Sequence, residues 1–396
     1  MMRVFERYFS TWRGLPAAML WLSAGWFVWN AGQTAVAFMA VYFIQQHGLS
    51  ATDAGLVLGA AGAGRLLAVL PSGWLADRLD IRRLLVLTMA AQALTFLPMP
   101  FVSGFLPLAL ASFGMGFFEQ ALRPAALAAI QHICPPQDRL RAYSLNRMAT
   151  NAGLTAGSAF GGLVYGLWPD GIFWVNALAC LAATLLLLKM PPVRAVQAAA
   201  KPGEPLAASP WRDGVFLGFI GILTVSLTIF MLFRSVLPTD LVERQGIAPA
   251  TFGLLVAANC FAVFALEVPV LAILRRWPGP RLATLGSVIV ALGYGQLAFL
   301  EGLPGALLWV TLWTLGEMAL LPAVMAMMQV RAARGQAGVI MALYSMSFTL
   351  GATIGPLAGG WLLDHAGAPM LWGLSGLTGL AASAGILVLG RRVVRG

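Results

Sequence analysis

The chain reads as one unit written twice. Gly48 and Gly55 recur as Gly246 and Gly253, and Pro71 recurs as Pro269. Gly153, Gly157, Gly161 and Gly162 recur as Gly351, Gly355, Gly359 and Gly360. The run from Glu119 to Ala125 is echoed from Glu317 to Ala323, with Pro124 and Pro322 in the same place. Each pair is 198 residues apart, as 317 is from 119, with no net slip between pairs. A shared register over that distance marks two homologous halves, an internal repeat from which many transporters are built.

Composition sets the medium in which those halves fold. The chain is 59% hydrophobic and 10% charged, with a mean hydropathy of +0.82. A water-soluble surface of this size needs far more charge, so most apolar surface must face lipid. Long apolar runs, rather than short alternating ones, select helices over a barrel. Twelve segments are long enough to cross a bilayer. They lie near 16–44, 51–75, 84–102, 105–131, 142–166, 171–189, 213–242, 250–274, 281–300, 304–329, 337–364 and 369–390. The expected fold is an all-α integral membrane protein of twelve transmembrane helices in two pseudo-symmetric six-helix bundles. The bundles would span 1–189 and 213–396, joined by a Pro- and Gly-containing linker at 190–212. The first segment is too long for a signal core, and its register partner is internal, so it is expected to be retained.

Basic residues orient the expected topology. Arg3, Arg7 and Arg13 precede the first segment, Arg78, Arg82 and Arg83 follow the second, and Arg139 and Arg141 follow the fourth. Lys189, Arg194, Lys201, Arg212, Arg331, Arg334, Arg391 and Arg392 fall on the same side, and Arg244 alone falls opposite. The positive-inside rule then places both termini and the linker in the cytoplasm. The net charge of +10 is thereby topological, and it argues for no nucleic-acid partner. Cys134, Cys180 and Cys260 are dispersed, with no metal spacing and no disulfide framework. No metal or other cofactor is expected. The sequence contains no Gly-x-Ser-x-Gly, His-Glu-x-x-His or phosphate-binding Gly-Lys-Ser/Thr motif, so an enzyme is not expected.

The loop after the second segment carries Gly73, Leu75, Asp77, Arg78 and Arg82 in one short run. It resembles the signature between helices 2 and 3 of the major facilitator superfamily, Gly-x-Leu-Ala-Asp-Arg-x-Gly-Arg-Lys/Arg. Asp80 stands where that pattern has Gly, and Ile81 where it has Arg. Gly153, Gly157, Gly161 and Gly162 resemble the helix-5 signature of the drug/proton antiporters, with Ser158 in place of its Pro. Gly351, Gly355, Pro356, Gly359 and Gly360 complete the pattern in the second half. Glycine at every fourth position flattens a helix face for close packing, with or without an antiport role. The antiporters' helix-4 signature is not clearly present.

Charges inside the spans supply the candidate site residues. Arg65, Arg123, Arg147 and Arg234, with Glu119, Glu267 and Glu317, fall within apolar segments. Each costs several kcal/mol at mid-bilayer unless it faces protein or water. The resemblance implies a water-filled cavity between the halves, lined by segments 1, 4, 7 and 10. Glu119 and Glu317 are then the leading proton-coupling candidates, and Glu267 is the next. The alternative for Glu119 is a local pair with Arg123. Asn30, Gln33, Arg123, Asn151, Arg234 and Asn259 are candidates for the cavity wall. Trp26, Trp29, Phe38, Phe230, Phe233, Trp313, Met318 and Met325 are its candidate aromatic and methionine neighbours.

The gating candidates are Asp77, Arg78, Arg82, Arg147 and Glu267. Arg147 lies ~8 Å and Glu267 ~10 Å inside the cytoplasmic ends of their segments. The resemblance implies that segments 5 and 8 face each other between the bundles, so a salt bridge across the halves is expected when the cytoplasmic side is closed. The resemblance implies a secondary transporter working by alternating access, with proton-coupled export of amphipathic organic molecules as the leading reading. The alternative is a proton-coupled symporter that imports a small metabolite. Expected partners are a small-molecule substrate, protons and the lipid bilayer, with the chain a monomer in a bacterial inner membrane. The resemblance also places Asp77 beside the start of segment 11, where a helix N-terminus attracts a carboxylate. Asp77→Asn is expected to reduce transport without reducing expression, and unchanged transport would remove its gating role.

Overall fold

The computed structural model describes residues 14–78, 80–135, 138–193, 210–274, 276–332 and 337–395. Every regular element among them is helical. The longer helices are α1 (Ala17–Ala31), α2 (Met39–His47), α3 (Ala51–Arg78), α4 (Ile81–Phe96), α5 (Phe105–Ile133) and α6 (Arg139–Leu167). They continue with α7 (Gly171–Leu188), α8 (Gly214–Phe230), α9 (Pro249–Leu274), α10 (Gly279–Gly295), α11 (Gly302–Ala332) and α12 (Ala337–Arg395). Seven helical stretches among the described residues are long and apolar enough to cross a membrane. Their outward leucines, such as Leu106, Leu185 and Leu377, stay exposed, as lipid-facing side chains should.

These helices do not map one-to-one onto the twelve expected segments. The first segment is broken between α1 and α2. Thr34 at the break donates its hydroxyl to Ile172 O (3.0 Å) and accepts from Asn176 Nδ2 (3.0 Å), which ties the turn to α7. The seventh is broken after α8 into short turns at Met231–Arg234 and Val236–Pro238 and a π-turn at Thr239–Arg244. Fully buried Asp240 pins that stretch. It accepts from Arg244 Nε (2.5 Å), Gln245 Nε2 (2.9 Å) and Trp372 Nε1 (2.8 Å). The last two expected segments run together as α12, whose 59 residues would span ~88 Å if straight. Gly367 breaks α12 with φ 79°, a conformation that suits glycine, and Pro369 follows. Asp80, the departure from the loop pattern, is the N-cap of α4, accepting from Arg83 N at 2.9 Å.

Within the first half α3 packs on α5, α4 on α5 and α7, and α1 on α6 and α7. Within the second, α8 packs on α12, and α10 on α11 and α12. The halves meet chiefly where α6 packs on α9 and α3 on α12. Glycine explains the closeness. A Cβ on Gly153 would lie 2.7 Å from the Asn30 side chain, and one on Gly351 2.9 Å from the Leu227 backbone, so each face docks inside its own half. The neighbouring glycines dock across the halves. A Cβ on Gly162 would lie 2.5 Å from Pro249 O, and one on Gly360 2.4 Å from Ala51 O. These are the same contact in repeat register. So are Gly253 against Ser158 O (2.5 Å) and Gly55 against Pro356 O (2.3 Å).

Both seams lie on the face that bears the starts of α3 and α9. One seam carries an added polar lock. Asp364 of α12 accepts from the backbone N–H of Ala51 (3.2 Å) and Thr52 (2.6 Å) and from the Thr52 hydroxyl (2.6 Å). It caps α3 from the opposite half, and its register partner is Gly166, which cannot do the same. Asp364→Ala should raise the open-to-closed ratio of this face by roughly fivefold, the worth of one capping residue. Electron–electron distance measurements between spin labels at Gln46 and Ala366 read this directly, and an unchanged distribution counts against the lock.

Candidate functional site

A cavity of about 240 Å³ lies between the halves. The last turn of α1 places Trp29 and Asn30 on its wall and the break after it Gln33, α5 contributes Glu119, and α6 contributes Thr150, Asn151 and Ser158. From the second half come Phe230, Phe233 and Arg234 at the break after α8, then Asn259 and Cys260 of α9, then Trp313 and Glu317 of α11. Asn30, Gln33, Asn151, Arg234, Asn259, Glu119 and Glu317 are thus brought to one space from both halves. Glu267 is set elsewhere. The Arg123 side chain, with those of Asp77 and Arg78, lies outside the described residues. Arg82 donates to Leu188 O at 2.5 Å, at the C-terminus of α7, where a cation complements the helix dipole.

One wall of the cavity is aromatic. The rings of Phe233 and Trp313 are 4.5 Å apart, and Phe230 lies 5.6 Å from Trp313. Trp309 stacks behind Trp313 at 4.9 Å and 14°. This wall is apolar, and the amides of Asn30, Gln33 and Asn151 lie on elements of the other half.

The two repeat-related acids have different surroundings. Glu119 Oε2 accepts from Arg65 Nε (2.9 Å) and Nη2 (2.8 Å), and Arg234 Nη2 lies 3.8 Å from Oε1. Glu119 is 5% exposed and is held by cations from both halves. Glu317 instead accepts from Asn259 Nδ2 at 3.0 Å, the nitrogen that also reaches Thr314 Oγ1 at 3.0 Å. No cation forms an ion pair with Glu317 among the described residues. Repeat register explains the difference. Arg65 has Val263 as its partner, Arg234 has Val36, and Asn259 has Ala61. The acid is kept in both halves, but among the described residues only the Glu119 copy forms ion pairs.

Sequence reasoning noted Arg65 as a charge within a span but gave it no site role. Its signal was its spacing, one helix turn beyond Ala61, the partner of Asn259. Asp240 was missed because it falls at the expected end of a span. Its pairing with Arg244, which also reaches Glu301 at 2.8 Å, accounts for the one arginine on the far side.

The expected pair across the halves is present. Arg147 Nη2 donates to Glu267 Oε1. Glu267 is buried while the Arg147 side chain is 63% exposed, so water screens one end of the pair. The pair was expected to belong to a state closed on the linker side and to part when the other face closes. Here it is joined while the glycine seams and the Asp364 contacts are also in place.

The sequence profile of the Major Facilitator Superfamily matches residues 21–344 and, in a second match, 219–395. The chain belongs to the major facilitator superfamily. The two matches begin 198 residues apart, the offset of the internal repeat. Among superfamily members, the MFS-type transporter YttB of Bacillus subtilis is 25% identical over 374 residues, covering 89% of this chain and 90% of its own. Multidrug resistance protein MdtH of Yersinia pestis is 24% identical over 361 residues, 88% of each chain. The structure is similar to a bacterial homologue of the human lysosomal transporter Spinster, inward-facing and unoccupied, with a TM-score of 0.78 at 16% identity over 96% of this chain and 97% of that one. The nucleoside transporter NupG gives 0.78 at 12% identity over 94% and 99%. The chain is a multi-pass membrane transporter of this superfamily. Its relatives are transporters rather than enzymes.

Loss of one partner of the Arg147–Glu267 pair should harm transport more than the exchange Arg147→Glu with Glu267→Arg, because a single change leaves a charge without its partner. Proteoliposome uptake of the three variants decides it, and an exchange no better than Glu267→Gln removes the pair's role.

Proposed function

We propose that this protein is a proton-coupled secondary transporter of amphipathic organic molecules, working by alternating access, with Glu317 as the proton carrier. The observation that carries this is the contrast between the two acids. Glu119 is fixed by two arginines and serves as structure. Glu317 faces the same cavity with an amide as its partner, and an amide oxygen or nitrogen can serve either a carboxylate or a carboxylic acid. The reading takes the chain as twelve spans in two bundles, 1–189 and 213–396, with the 190–212 linker and both termini in the cytoplasm. It places a monomer in the bacterial inner membrane.

Two directions of transport are compatible with this coupling. Outward movement of multidrug type is favoured by the similarity to MdtH and by the glycine pattern of α6 and α12. Inward co-transport of a small metabolite is favoured by a different observation, the cluster of donors at Arg234 and the cavity amides. Counterflow in proteoliposomes with an imposed pH gradient separates the two.

Glu317→Gln should abolish accumulation driven by a pH gradient and preserve exchange at equilibrium, which needs no net proton movement. Glu119→Gln should instead lower stability by about 3 kcal/mol, since it strands Arg65 and Arg234 in a buried site. If Glu317→Gln still concentrates substrate, the proton is carried elsewhere, and Glu267 is the next residue to test.

A further inference from the structure

We infer that Glu243 is a proton-binding latch on the face that bears the starts of α3 and α9: closing that face against Gln45 and Tyr165 takes up a proton at Glu243, and opening it releases one. This rests on the reading of the protein as an alternating-access transporter. It requires neither Glu317 as the carrier nor one direction of transport.

The geometry comes from the repeat. Glu243 and Gln45 are 198 residues apart, so they hold the same position in the two halves. Here they meet. The π-turn Thr239–Arg244 packs on α2, and the Gln45 side chain interacts with the Glu243 carboxyl. Two positions in register meet only near the axis that relates the halves, and a contact on that axis must part when the halves swing open at this end. Tyr165 of α6 sets the amide. Its hydroxyl donates to Gln45 Oε1 at 2.7 Å, which leaves Nε2 for Glu243. Tyr165 stacks on Phe38 at 5.3 Å, and Phe38 meets Phe252 of α9 edge-on at 5.8 Å, so the rings behind the amide come from both halves.

The carboxyl is poorly served in this arrangement. Glu243 is half-buried, and its Oε1 is enclosed with no hydrogen-bond partner among the described residues. No cation forms an ion pair with it there. Arg244, the next residue, is taken by Asp240 of the same turn and by Glu301. From α6 the carboxyl faces the phenol of Tyr165, which is neutral at physiological pH. On α2, Tyr42 donates to Asp170 of its own half at 2.6 Å, and His47 also answers to Asp170. The start of α9 holds no ionisable group before Cys260.

A carboxylate that closes into this place gives up water for one amide, whereas a neutral carboxyl gives up less. Burial accordingly pushes the Glu243 carboxyl above the usual carboxylate range, and the Gln45 amide draws it back in part. The proton therefore favours closure. Its contribution is full below the pKa of the open, hydrated carboxyl and is lost as pH rises through the closed-state value. His47 has the opposite sign. Burial lowers its imidazole against a smaller upward pull from Asp170, so acid would charge it and favour opening. The direction of a pH response thus separates the two groups.

Spin labels at Leu167 and Ala366, exposed positions in the two halves, read the closure in the purified full-length protein with Cys134→Ala, Cys180→Ala and Cys260→Ala. Raising the pH through the carboxyl range should raise the open-to-closed ratio by at least about fivefold, the lower end of what a buried group without a partner costs. Glu243→Gln should hold the face closed and flatten that response, while Glu317→Gln should keep it. Gln45→Ala removes the donor to the carboxylate and should move the midpoint to higher pH. The melting temperature shows that each variant is folded. A ratio that falls with rising pH, a response that survives in Glu243→Gln, or a midpoint unmoved in Gln45→Ala overturns the inference and leaves alternating access in place. So does a face that opens in Asp364→Ala but answers to no pH. A single distance at every pH in all of these proteins, Asp364→Ala included, overturns the alternating-access reading and this inference with it.

Discussion

An ion buried in a membrane protein must meet a partner inside the fold, because lipid offers none. The cluster of Arg65, Glu119 and Arg234 is where that constraint acts most strongly here. It binds α3 to α5 and brings the broken segment after α8 onto them. Glu119 and Arg234 of this cluster line the cavity between the halves. The same constraint sets the Arg147–Glu267 pair and the enclosed carboxylate of Asp240.

Helices in lipid gain little from apolar contact with each other, since acyl chains are equally apolar. Close backbone approach and hydrogen bonds must hold them instead. The glycine rows of α6 and α12 provide the approach, and they divide their work by position. Glycines 153 and 351 dock inside a half, and glycines 162 and 360 dock across the halves. A seam of small residues and a few polar ties can part and re-form without exposing a large apolar area. The contacts inside each half include buried rings and hydroxyl chains, such as Ser226 with Ser287 and Ser383, and these favour rigid bodies.

Repeat symmetry is thus kept where the halves touch and broken where chemistry is done. The seam contacts repeat in register on both sides. The cavity acids also repeat, but the residues around them do not: valine stands in repeat register with each arginine that pairs with Glu119. Asp364 breaks the symmetry of the seams in the same way, locking one helix start and leaving the other to packing alone.

The sequence by itself determined the medium, the helical class, the duplication and its offset, and the family. Each follows from composition or from spacing along the chain, and Glu119, Glu317, Asn30, Gln33, Asn151, Arg234 and Asn259 were legible as charges and amides in apolar runs. It also pointed to Arg147 with Glu267, because depth along a helix is a linear quantity and the family resemblance implied that their helices face each other. The tertiary structure alone decided which acid is paired. Arg65 and Glu119 are 54 residues apart, and Arg234 comes from the other half, so no local pattern joins them. It decided the breaks after α1 and α8 as well, because these are held by Ile172, Asn176 and Trp372 on distant helices. Periodicity reports which residues avoid water or lipid, whereas a partner in a low-dielectric interior is fixed by whichever helix arrives beside it.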